Sequence, residues 1–295
     1  MPTPATPHPL ARILLATDLS ARSDRALDRA VALARETGAA LNVLHVSEPD
    51  GLGRMAVDER LRLAERHLLA DLPDEVLAEA AAPSSPFTIR TRVEDGDAAD
   101  TILRIAENEG FDLIVTGLAR NEPMGRLLLG DTVDRLLRRS SVPVLVVRRR
   151  AKRPYRQMLI ATDLSGPARH ATETALTLLP DLPATVIHAF DTPLHHLSSD
   201  RTAHIRALGE TAAHRLNDAL DALAVPASRV AGLTRIVLPG PADEAVAAEL
   251  AREPSDLVVL GTRGQGVVAE AVLGSVAKRI LATVDEDVLV VPRGS

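Results

Sequence analysis

The chain has 295 residues, 46% of them hydrophobic, with a net charge of −6, one Tyr, three Phe and no Trp or Cys. That length fits two domains of ordinary size, each able to bury an aliphatic core of Leu, Val, Ile and Ala. The negative charge and the scarcity of rings weigh against a nucleic-acid binder, and the absence of cysteine excludes disulfides and thiolate chemistry.

In chain order, MPTPATPHPL lacks the charged-then-apolar pattern of a signal peptide and reads as a short disordered arm. No apolar run approaches the ~18–20 residues of a membrane span, so a soluble cytoplasmic protein with no membrane partner is expected. A short apolar strand over Arg12–Thr17 leads into a helical pattern over 25–36, where Ala and Leu recur at three and four residues. A second strand ends in His45, and a looser helical region covers 58–80. A third strand (87–93), a third helix (97–109) and a fourth strand (112–116) follow. A loop then enters a fourth helix, and the strand VPVLVV (142–147) closes the series.

The series then repeats. ILLATDLS at 13–20 returns as LIATDLS at 159–165, FDLIVTG at 111–117 as SDLVVLG at 255–261, and SVPVLVVRR at 141–149 as DEDVLVVPR at 285–293. The offset stays between 143 and 146 residues, far above the ~20–50 of solenoid repeats, so a whole domain is duplicated. The second copy predicts strands at Gln157–Thr162, up to His188, 233–238 and 256–260, and helical segments at 200–224 and 242–252. Domains are expected at 1–150 and 151–295. The basic run RRRAKRPYR (148–156) lies between them and reads as a solvated linker. Near-continuous apolar strands alternating with helices imply α/β domains, each a parallel sheet covered on both faces. Ligands of such sheets sit beyond the carboxyl ends of the strands, where the strand order reverses.

The fourth strand of each copy runs into a loop of one length. The second copy reads GTRGQGVVAEAVLGSVA (261–277), and the first reads GLARNEPMGRLLLGDTV (117–133). Backbone N–H groups at a helix start favour an anion, glycine admits close approach, and a serine adds a hydroxyl donor. Taken alone, one such loop is read more readily as a tight turn and a helix packing point. The contrast between copies shifts the balance. Gly117 and Gly130 keep the outer glycines, but Arg120 replaces Gly264 and Asp131 replaces Ser275. A carboxylate there repels phosphate, and Arg120 could pair with it, so the first loop reads as closed and the second as open; the alternative is that Arg120 itself contacts an anion.

On these residues the chain resembles a tandem universal stress protein across nearly all of both halves. The family signature, G-x2-G-x9-G followed by Ser or Thr, matches Gly261, Gly264, Gly274 and Ser275. An Asp after strand one (Asp18, Asp163) and a His–Val pair ending strand two (here His45–Val46 and His188–Ala189) accompany it. The resemblance implies two tandem doubly wound, Rossmann-like domains, each a five-stranded parallel sheet of strand order 3-2-1-4-5. It implies an internal pseudo-dimer through VPVLVV and DVLVV (287–291), and allows two chains to pair in turn. In ATP-binding members the loop backbone and hydroxyl hold the phosphates, a role that falls on Gly261, Gly264, Gly274, Ser275 and Val276. The adenine and ribose side falls on Ala161, Thr162 and Asp163, with Ala189 lining the adenine pocket. Ala189 replaces the usual Val, and Ala277 stands where another hydroxyl is often found.

Plainer readings stand beside these. Asp-x-Ser before a helix satisfies orphan N–H groups. His45 and His188 read as hydrogen-bonded strand-end histidines. His195, His196 and His204 lack the ~3–5-residue partner spacing of a zinc site and read as a solvated loop. The leading function is an ATP-, ADP- or AMP-binding stress or signalling module, with or without Mg²⁺, holding one nucleotide in the second copy and meeting an unidentified signalling protein. A nucleotide-free interaction module and a slow ATPase are the alternatives. The Walker pattern is absent, and no catalytic base stands out.

Overall fold

The computed structural model describes residues 9–20, 23–48, 57–118, 130–192, 201–262 and 273–293. Its contacts divide them into two compact units, Leu10–Pro154 and the chain from Tyr155 onward. These are called the first and second repeat. The amino-terminal arm, His195, His196, Arg120 and Gly264 lie outside the described residues.

The first repeat contains β1 (Arg12–Thr17), α1 (Asp24–Thr37), β2 (Ala40–Ser47), α2 (Val57–Asp71) and α3 (Asp74–Ala81). It continues with β3 (Thr88–Asp95), α4 (Ala98–Asn108), β4 (Leu113–Gly117), α5 (Asp131–Arg139) and β5 (Val144–Val147). The second contains β6 (Met158–Ala161), α6 (Gly166–Leu178), β7 (Ala184–Phe190), α7 (Arg201–Asp221) and α8 (Ala227–Ala231). Then come β8 (Thr234–Pro239), α9 (Ala242–Arg252), β9 (Leu257–Gly261), α10 (Ser275–Thr283) and β10 (Asp287–Val291).

Within the first repeat the strands run in the order β3-β2-β1-β4-β5, and within the second β8-β7-β6-β9-β10. The pairs are parallel. Each sheet is thus of order 3-2-1-4-5, as the resemblance implies. Its order reverses between the first strand and the fourth, which pair as Leu14↔Ile114 and Leu159↔Val258. The central strands read RILLAT, LIVTG, MLIA and LVVLG because both of their faces are covered, and every residue in them except some at the strand ends is buried. β3 and β8 are the outer strands opposite β5 and β10, and no residue of either is buried. Their arginines and acids, among them Arg90, Arg92, Glu94 and Arg235, discourage edge pairing.

Helix starts and stops follow local chemistry. Gly38 ends α1 in the left-handed region at φ 74, with its N–H bonded to Ala34 O, and a Cβ there would stand 3.2 Å from Pro86 O. Asp97 accepts the Asp100 N–H at 2.9 Å and caps α4, while the Ser165 hydroxyl caps α6 by accepting the Ala168 N–H at 3.3 Å.

Four expectations need correction. The helical stretch 58–80 is two helices, because Pro73 cannot continue α2 and starts α3 instead. In the second repeat Pro226 stands at the N-cap of α8, a helix beyond the expected 200–224 segment. The second strands run past the histidines to Ser47 and Phe190. His204 belongs to α7, not to a loop. The basic run is not simply solvated. Arg25 and Arg29 of α1 donate to the carbonyls of Arg148 (2.9 Å) and Arg153 (3.1 Å), Arg150 pairs with Asp28, and Arg148 and Tyr155 are buried. The Tyr155 hydroxyl donates to buried Asp287 at 2.6 Å, tying the start of the second repeat to β10.

Candidate functional site

The residues singled out in the second repeat converge on the carboxyl edge of its sheet. Ala161 closes β6, and Thr162 and Asp163 follow it. The Thr162 N–H bonds to Ile187 O at 3.0 Å, which sets Ala189 of β7 just beyond on one side. On the other side β6 pairs with β9, which ends in Gly261. Thr262 donates its N–H to Val291 O and accepts the Gly274 N–H, both at 2.9 Å, so the start of α10 is fastened back to the end of β9. Eight of the nine expected site residues lie along the carboxyl edge of the sheet, at the ends of β6, β7 and β9 and the start of α10, and Gly264 lies outside the described residues.

The turn after the first strand is built alike in both repeats. The Leu19 and Leu164 N–H groups each bond to the preceding threonine hydroxyl at 3.1 Å. The Ser20 and Ser165 N–H groups each bond to an aspartate oxygen at 3.0 Å. Both leucines sit at positive φ, 59 and 64, a conformation costly to a residue with a Cβ. His45 Nδ1 meets Thr17 O at 3.0 Å, and His188 Nδ1 meets Thr162 O at 2.9 Å. The histidines are thus strand-end hydrogen-bonding groups that hold the turn, as their plainer reading has it. The aspartates organise the residue that leads into the helix, and in the second repeat Ser165 is the N-cap residue.

Around this shared turn the repeats diverge. In the first, Asp18 Oδ1 also accepts the Ser20 hydroxyl at 2.7 Å and the Ser23 hydroxyl at 2.6 Å. Burial pushes its pKa up, but these hydrogen bonds outweigh that and hold the carboxyl below its usual range. Ala168 stands in the second repeat where Ser23 stands in the first, and brings no hydroxyl to Asp163.

The fourth-helix starts differ in charge. α5 opens with Asp131 and Asp134 in its first turn. α10 opens with Ser275, Val276, Ala277 and Lys278 and has no acidic residue in its first turn. Neither helix has a side-chain cap. The Ser275, Val276 and Ala277 N–H groups are therefore donors with no intrahelical partner, beside an exposed hydroxyl and an exposed 40% Val276. Gly274 has φ −56 and Gly130 φ −59, so neither position needs glycine for its backbone angle. Absence of a Cβ beside the helix start is what glycine provides there. Ala277 is buried, so the hydroxyl missing at that position belongs to a side chain turned into the protein.

Comparison with known proteins supplies a family. The model of the universal stress protein family matches residues 10–148 and again 154–292. The chain belongs to the universal stress protein family. A universal stress protein of Thermus aquaticus is 36% identical over 138 residues, 46% of this chain and 97% of that protein. Universal stress protein YxiE of Bacillus subtilis is 30% identical over 146 residues, 46% of this chain and 98% of its own length. Each relative is thus about one repeat long. The crystal structure of a universal stress protein from Archaeoglobus fulgidus matches 97% of this chain and 98% of its own, with a TM-score of 0.68 and 22% identity. At that identity the likeness speaks for the fold alone.

Two features of this universal stress protein escaped sequence reading. Lys278, one of two lysines in the chain, stands in the first turn of α10 where α5 has Asp134. Setting the two copies side by side shows the exchange at the same offset that aligns Asp131 with Ser275. The exchange of Ser23 for Ala168 was visible in the aligned copies, yet only the coordinates show that Ser23 bonds Asp18. Among the described residues no group of three His, Asp or Glu is placed to hold a metal ion, and no helix is long and apolar enough to cross a membrane.

Proposed function

We propose that the chain is a stress-response or signalling module of the cytoplasm that binds one adenine nucleotide, ATP in the first instance, in its second repeat. The observation that carries this is the contrast between the two helix starts at the carboxyl edge. Both helix starts present N–H groups without intrahelical partners, but α5 adds Asp131 and Asp134, the latter paired with Arg138, whereas α10 adds the Ser275 hydroxyl and the Lys278 ammonium. This set suits a polyphosphate: the helix dipole and Lys278 supply positive potential, and Ser275 adds a charge-assisted hydrogen bond. Ala161, Thr162, Asp163 and Ala189 would take the nucleoside, and Gly261, Gly264, Gly274 and Val276 would let phosphate approach the backbone. Any Mg²⁺ would then come with the nucleotide.

On this reading the nucleotide is a regulatory ligand. It shifts partner choice by binding one conformation of the second repeat more tightly than another. The signalling partner and the stress that engages it follow from that shift and do not require turnover. Titration of ATP into the wild type, Ser275→Asp and Gly264→Arg tests the reading, since both variants copy the first repeat. Binding to the wild type should weaken by at least about tenfold in each variant with the far-UV circular dichroism unchanged. Wild-type affinity in Ser275→Asp would remove α10 from the site. Absence of binding in the wild type would leave the nucleotide-free interaction module.

A further inference from the structure

Between α6 and α7 the second repeat holds a cavity of about 310 Å³, within the size range of small-molecule sites. Leu164, Ala219, Leu220 and Leu223 form apolar walls, and Thr172 and Arg169 of α6 complete them. The expected nucleotide residues Asp163, Ala189, Gly261, Gly274 and Ser275 do not line it; Thr162 is common to both places.

Each side-chain hydroxyl of the walls already holds a hydrogen bond, Ser165 included, whose oxygen accepts the Ala168 N–H at 3.3 Å. The Thr162 hydroxyl oxygen accepts the Leu164 N–H at 3.1 Å, and the Thr172 hydroxyl donates to Ala168 O at 2.9 Å. Arg169 pairs with Glu173 at 2.9 Å, and the same Glu173 oxygen accepts the Ala224 N–H at 2.8 Å. The guanidinium and the carboxylate cancel, so this pair offers no net attraction to an ion. A ligand's polar groups would find few partners and would pay their desolvation in full, while an apolar surface gains by leaving water.

The first repeat provides an internal comparison. At the matching place, lined by Thr17, Leu27, Leu68 and Leu72, the space is only about 10 Å³. Leu27 aligns with Thr172 at the same offset that aligns Thr17 with Thr162, and a leucine there reaches further into the gap between the helices. One fold therefore packs this interface shut in one copy and leaves it open in the other.

We propose that the cavity between α6 and α7 is a second small-molecule site, for an uncharged and largely apolar ligand. Its wall is the turn that ends β6, so occupancy would be felt at the base of that turn. Neither the site nor its test depends on nucleotide binding.

The experiment is a titration of the ¹⁵N-labelled full-length chain with toluene, followed by amide chemical shifts. The expected result is saturable shifts grouped around Leu164, Arg169, Thr172, Leu220 and Leu223. Affinity should fall by about tenfold or more in Thr172→Leu, which copies Leu27. Ala219→Leu narrows the cavity from the opposite wall and should show the same loss, which keeps the proposal testable if Thr172→Leu does not fold. Non-saturating or scattered shifts in the wild type would overturn the proposal. So would wild-type affinity in either folded variant.

Discussion

Replacing His188 with leucine tests how the turn at the candidate site is held. The ring is 8% exposed, its Nδ1 lies 2.9 Å from Thr162 O, and leucine fills much of its volume without a polar atom. The Thr162 carbonyl, beyond the end of β6, would lose that partner in a poorly solvated place, at a cost of about 1–3 kcal/mol. His45→Leu makes the same change in the first repeat, where the bond is 3.0 Å but the ring is only half-buried. Water can replace that partner, so the cost should be smaller, roughly 0.5–1 kcal/mol. With a urea slope near 2 kcal/mol/M, His188→Leu should lower the midpoint of its repeat by about 1 M. The sole tyrosine, Tyr155, belongs to the second repeat, so its fluorescence follows that unit while far-UV circular dichroism follows both. If nucleotide binds only in the second repeat, His188→Leu also weakens it and His45→Leu does not. A Tyr155-monitored midpoint unchanged by His188→Leu, or a larger loss from His45→Leu, would refute the reasoning.

Further outcomes follow from other contacts. Tyr155→Phe removes a 2.6 Å hydrogen bond to an aspartate that is 1% exposed and should cost about 1–2 kcal/mol in urea unfolding. Asp18→Ala should cost about 1 kcal/mol at neutral pH, since this exposed carboxylate gives up three donors. Because the folded-state pKa of Asp18 is lowered, its contribution is present above the unfolded value of 3.8 and disappears as pH falls through the folded value. The variant's stability should therefore fall less steeply than the wild type's below that pH. Gly38→Ala forces a side chain into φ 74 and against Pro86 O, and should lower the stability of the first repeat by about 1–2 kcal/mol.

Much of the fold was legible because the chain states it twice. A strand such as ILLAT is ambiguous alone, but its return before the same Asp-x-Ser fixes its place in the series. Buried central strands carry unbroken apolar runs, so their positions followed from sequence, whereas the break at Pro73 depended on reading that proline as a boundary inside a weakly patterned stretch. The candidate site was legible where a residue type itself carries the signal, as with Asp131 against Ser275. It was not where meaning depends on a neighbour far along the chain. The clasp of Arg25 and Arg29 on the carbonyls of the basic run joins residues more than a hundred positions apart. The engagement of Asp18 by Ser23 depends on a turn whose leucine adopts positive φ, for which no side chain in the motif gives notice.

The central claim is one nucleotide site per chain, in the second repeat. Denaturing protein that has been saturated with ATP and freed of unbound nucleotide, then identifying and counting what is released, tests it most directly. The account predicts about one adenine nucleotide per chain. Two would show that Asp131 and Arg120 leave the first repeat open, and none, together with no ATP binding in titration, would contradict the nucleotide reading itself.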